Sequence, residues 1–133
     1  MLLLHSIDSG IVRPTQDFLK EDTLKHIVQC YKTGNLEKLP PPPIVRKDVD
    51  DSLVAIDGHN LLAVNYLLGK STEVFIAKDS QDKYPGESEA IIKRNKDLNE
   101  KYDSAIISSR KLEIKGIKTI KDLVKYAGVD NLV

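Results

Sequence analysis

The stretch Val54-Ala55-Ile56-Asp57-Gly58-His59-Asn60-Leu61-Leu62-Ala63-Val64-Asn65-Tyr66-Leu67-Leu68-Gly69 decides how this chain reads as a fold. Leu53 to Ile56 is short and apolar enough for a strand, and Asp57-Gly58-His59-Asn60 breaks it with turn residues. The apolar run that follows is too dense for one exposed helix face. Bounded by Asn60 in front and Gly69 behind, it predicts a mostly buried helix over 60–68. Glu73 to Ala77 then predicts another strand. A strand, a glycine turn, a buried helix and a second strand form the centre of an α/β domain, a small mixed sheet with packed helices.

Upstream, Leu2 to Ile7 predicts a strand closed by Asp8-Ser9-Gly10, and Pro14 holds Arg13 in an extended lead-in. Leu24, Ile27, Val28 and Tyr31 share one helical face, Glu21 and Asp22 suit a first turn, and Gly34 suits a terminator, which predicts a helix over 21–33. Pro40 to Pro43 cannot donate backbone hydrogen bonds and read as a stiff delivery into the next strand. Ile44 to Lys47 and Leu53 to Ile56 predict a hairpin across an acidic turn, Asp48 to Asp51, read as solvated. That turn lacks the glycine and distal glutamate of a calcium loop.

Downstream, 87–102 reads as a charged surface helix, and Arg110 to Lys115 alternates as a half-exposed strand would. Thr119-Ile120-Lys121-Asp122 fits a capping box for a helix over 119–127 closed by Gly128. These elements read as an extension, 79–133, on a core of about residues 1–78 within a single domain of 133 residues.

Twenty Lys and Arg residues balance twenty Asp and Glu, so no whole-molecule field draws the chain to nucleic acid or to a charged membrane. No apolar stretch approaches a membrane span or a signal peptide, and the single Cys30 excludes an internal disulfide, so a cytoplasmic location is expected. His5 and His26 have no partners at metal-ligand spacing, and no protein metal site is expected. The basic run from Arg110 to Lys125 reads as a solvated face, and nucleic-acid binding is not expected.

Chemistry concentrates at Asp57 to Asn60. A helix N-terminus exposes free N–H groups and a partial positive charge, Gly58 lets a ligand approach the backbone, and His59 and Asn60 add donors, a combination that suits phosphate. Asp-Gly is also a common turn and Asn a common helix cap, so the four residues alone leave a purely structural reading open.

The order Arg13-Pro14-Thr15-Gln16, helix, Leu39-Pro40-Pro41-Pro42-Pro43-Ile44-Val45, then Val54 through Gly69 resembles the ParB/sulfiredoxin superfamily over roughly residues 1–78. Asp57 to Gly69 keeps the register of that family's glycine turn and apolar helix without a gap. The resemblance implies a bound nucleotide, ATP or CTP with Mg2+, its phosphates held at Gly58, His59 and Asn60. It also implies catalytic roles for Asp57 and His59 if the chain turns substrate over by NTP hydrolysis or phosphoryl transfer.

The sequence departs from the family where it matters. The Arg that clamps phosphate in the family falls on Leu61, and no cysteine stands in the turn for sulfinic acid reduction. Operator binding by a following helix-turn-helix reader is not expected in a chain this short. Arg13, Arg46 and Lys47 are the candidates to replace the missing charge if their strands face the turn. The alternative, from a different class, is a degenerate, non-catalytic module that binds a protein partner or regulates one. Binding without turnover and homo-oligomer formation both stay open.

Overall fold

A computed structural model describes residues 3–132. Its four strands are β1 (His5–Asp8), β2 (Ile44–Lys47), β3 (Leu53–Asp57) and β4 (Ser71–Ile76), and its five α-helices are α1 (Glu21–Thr33), α2 (His59–Leu67), α3 (Glu89–Lys101), α4 (Ala105–Ile114) and α5 (Ile120–Ala127). The sheet is mixed, in the order β1-β4-β2-β3. β1 pairs antiparallel with β4, β4 parallel with β2, and β2 antiparallel with β3 as the expected hairpin. The lead-in finishes the outer edge: Arg13 N–H donates to the Leu53 carbonyl at 2.9 Å, and Ala55 N–H donates to the Arg13 carbonyl at 2.8 Å.

Strand alternation explains why the sheet has helices on both sides. Val45, Ala55 and Val74 face a core shared with α1, α2 and α5. Ile44, Val54, Ile56 and Phe75 face a second core with Tyr84, Leu98 and Ala105, beneath α3 and α4. A strand buried on both faces reads as a continuous apolar run rather than an alternating one, as Val54-Ala55-Ile56 does. The α/β architecture expected from the sequence is therefore present.

Three local expectations change. Residues 110–114 are helical, with Lys115 as the C-cap, and not a strand: Ala105, Ser109 and Leu112 are the buried positions of α4, at helical spacing, whereas Ile114 is 88% exposed. The helix at 120–127 has the expected capping box, Thr119 with Asp122, yet is no appendage, because Ile120, Leu123 and Val124 are buried in the α1–α2 core. Asp48 in the acidic turn is not solvated, since its carboxylate pairs with Arg13 at 2.7 Å and its side chain is 6% exposed.

The α4 correction separates two neighbouring residues by stability. Leu112→Ala should cost about 2–4 kcal/mol of unfolding free energy, because it empties a buried site. Ile114→Ala should stay within about 0.5 kcal/mol. Urea denaturation of the two variants checks this, since a strand with both side chains on one face would make the losses similar.

Candidate functional site

The turn between β3 and α2 is held by a contact that only glycine permits. Gly58 adopts φ 95°, and a Cβ placed there would lie 2.5 Å from Cβ of Pro43. The last proline of the tract thus packs onto the turn, and its carbonyl accepts from Phe75 N–H at 2.9 Å as β2 begins. Replacing Gly58 would strain the fold as well as any ligand site. Asp57 accepts from Gly58 N–H at 2.8 Å, and no side chain caps α2. The first N–H groups of α2, at His59, Asn60 and Leu61, therefore have no intrahelical acceptors.

The residues that carry them line a cavity of about 300 Å³. Gln16, Phe18 and Lys20 of the lead-in form one wall, and Pro40 and Pro41 form another. The third wall is α3, through Ala90, Lys93, Arg94, Asp97 and Lys101. Lys20, Lys93, Arg94 and Lys101 bring positive charge to the cavity, against Asp57 and Asp97.

Arg94 is the deepest of these cations, with a side chain only 9% exposed. Its Nη1 lies 3.1 Å from Asp57 Oδ1, and Nη2 donates to the Pro41 carbonyl at 2.6 Å. Its Nε is buried and has no hydrogen-bond partner among the described residues. A guanidinium carries five N–H donors, and leaving any of them buried and unpaired costs free energy.

Asp57 and Asp97 line the cavity together, the first paired with Arg94 and the second with Lys93 and Lys101. Burial works to raise Asp57, but the Arg94 guanidinium, the bond from Gly58 N–H, and Lys93 outweigh it and hold Asp57 below the usual carboxylate range. Asp97 is pushed up, first by burial and then by the charge at Asp57.

The His59 ring is engaged within the fold. It is 2% exposed, and its Nε2 accepts from Thr15 N–H at 3.0 Å, so the neutral ring carries its proton on Nδ1. Burial, followed by the charges of Lys101 and Arg94, lowers its pKa to about 3. His59 fastens the lead-in to α2 and is uncharged at neutral pH. Asn60 likewise spends its side-chain oxygen on Lys20 N–H, at 2.9 Å, where α1 begins.

None of the expected replacements for the missing arginine reaches the cavity. Arg13 is engaged with Asp48, Ser52 and Ser109. Arg46 donates to the Tyr102 carbonyl at 2.9 Å and stacks 4.1 Å from the Tyr102 ring centroid. Lys47 lies at the exposed end of β2, and none of the three lines the cavity. Leu61 is buried in the α1–α2 core, so an arginine introduced there would have to leave apolar packing.

Apart from Lys20 and Asp57, the charged residues that line the cavity sit on α3. Positions 93, 94, 97 and 101 fall within an arc of about 100° on an α-helix, a one-sided clustering that a reading of 87–102 as a solvated helix passes over. The chain matches no family model, no curated protein and no solved structure.

The buried histidine sets an acid limit on stability. An unfolded chain protonates His59 near its ordinary 6.5 and the folded chain only near about 3, so between those values the unfolded state binds more protons. Stability is retained above that window and falls as pH drops through it, by up to about 1.4 kcal/mol per pH unit. Comparing urea unfolding at about pH 7.5 and pH 5 checks this. The loss on acidification should shrink by about 2 kcal/mol in His59→Gln, whose amide oxygen can still accept from Thr15; an equal loss in both proteins would refute the assignment.

Proposed function

We propose that the chain is a nucleotide-phosphate-binding domain of the ParB/sulfiredoxin type, acting in the cytoplasm, with the phosphates held at the N-terminus of α2. The observation that carries this reading is Arg94, a residue with a buried, unpartnered Nε that lines the same cavity as the first turn of α2. An anion there would meet the helix N-terminus and Arg94 together, a pairing that fits phosphate in charge and in geometry. Lys20, Lys93 and Lys101 add mobile positive charge at the rim.

In this reading Arg94 performs, from another helix, the work that Leu61 cannot. The substitution at Leu61, which motivates a degenerate interaction module, then ceases to argue against a working pocket. The cavity volume, about 300 Å³, suits the phosphate end of a nucleotide. The base would lie outside, where the half-exposed ring of Phe18 offers a stacking face.

No group of three His, Cys, Asp or Glu residues is placed to hold a metal among the described residues. Any Mg2+ would therefore arrive on the phosphates. Should the site turn substrate over, Asp57, whose carboxylate lines the cavity, is our candidate to accept a proton, while His59, neutral and tied to Thr15, positions the lead-in. No described helix is long and apolar enough to cross a membrane, and Cys30 is a buried free thiol, which agrees with a reducing compartment.

Isothermal titration against ATP, ADP and CTP, each with and without Mg2+, tests the proposal. Heat with at least one nucleotide is expected, weakened about tenfold or more in Arg94→Ala with only partial rescue by Arg94→Lys. No heat with any of them overturns it. Phosphate release and free-serine phosphorylation then separate binding from turnover.

A further inference from the structure

Resting on that phosphate-binding reading, we propose that Asp97, with Asp57, makes the cavity select a terminal, protonated phosphate over oxyanions that carry no proton. The selected class is a phosphate or phosphate monoester with a P–OH. Sulfate and the diester phosphates of a nucleic-acid backbone are the rejected class.

The argument is one of fixed and movable charge. Asp97 is held in place: its side chain is 11% exposed and it lines the cavity together with Asp57 at the end of β3. Its ion-pair partners are not held in place. Lys93 Nζ stands 3.3 Å from one carboxyl oxygen and Lys101 Nζ 3.6 Å from the other, yet these lysine side chains are 68% and 53% exposed. An arriving anion can draw the ammonium groups to its ionised oxygens, and the carboxyl pair then faces the ligand without them.

The ammonium groups beside both Asp97 oxygens mark it as a carboxylate, and the Arg94 guanidinium does the same for Asp57. Toward the cavity the pair therefore presents oxygen lone pairs and negative charge, which accept hydrogen bonds and donate none. A phosphate with a P–OH satisfies this wall by donating to it while its ionised oxygens meet Arg94 and α2. Sulfate, similar in shape and charge, has no proton to donate at neutral pH and would set an oxyanion against a carboxylate, a like-charge arrangement that disfavours the wrong partner. Sites built around a required hydrogen bond reject analogues that lack it far more strongly than apolar pockets reject a change of size.

The test is a titration of the full chain at pH 7 with inorganic phosphate and with sulfate at equal ionic strength, followed by the amide resonances of residues 58–61. Phosphate should bind at least about tenfold more tightly than sulfate. In Asp97→Asn, whose amide can donate to either anion, that preference should collapse, mainly because sulfate binds better. Asp97→Ser repeats the comparison should the Asn variant lose its folded spectrum. Equal binding of the two anions by the unaltered chain, or a preference that survives in the variants, overturns the role of Asp97 and leaves the phosphate site standing. If neither these anions nor ADP shifts the resonances, the site and this inference fall together.

Discussion

A buried guanidinium must be paired on every side or be held there at a cost, and Arg94 is the point on which the arrangement of this cavity turns. Its two terminal nitrogens tie α3 to the carboxylate ending β3 and to a carbonyl of the proline tract. Removing one partner of such a pair leaves the other charged and buried, which typically costs about 3–5 kcal/mol. The same link explains the tract: prolines have no N–H to offer, but the Pro41 and Pro43 carbonyls serve as acceptors for Arg94 and Phe75. Pro43 also presses on Gly58, so the backbone that enters β2 shapes the turn that begins α2.

The charge at the cavity is local. A chain with equal numbers of acidic and basic side chains has no net field to steer a phosphate, so attraction has to come from one wall. Here that wall is the inner face of α3 together with the unsatisfied N–H groups of α2. The opposed pair Asp57 and Asp97 keeps this positive patch from becoming a general anion trap, because any occupant must come to terms with two fixed carboxyls as well as with Arg94.

The central unit was legible because its signals are local and mutually consistent. Leu53 to Ile56 could only be a strand, Gly58 marked the turn, and the apolar density of Leu61 to Leu68 required burial. The turn itself was legible as the start of a helix for the same reason. Its walls were not, since they depend on which helix covers the second face of the sheet. Leu98 and Ala105 signal that cover only once Ile44, Val54 and Ile56 are known to face away from α2. His59 and Asn60 read as ligand donors from position alone, whereas their hydrogen bonds to Thr15 and Lys20 depend on a lead-in that returns from 40 or more residues away. The strand proposed for 110–115 failed because Leu112 and Ile114 alternate over too few residues to outweigh the helical spacing of Ala105, Ser109 and Leu112.

The most direct measurement is a 1H–15N correlation spectrum of the labelled protein recorded while ADP is added, with the Arg94 Nε–Hε resonance in view. The account requires the largest changes at the backbone amides of Gly58, His59, Asn60 and Leu61 and at Arg94 Nε, which would gain its missing partner. Changes that spare both, or that gather on α4 and α5 instead, would contradict it.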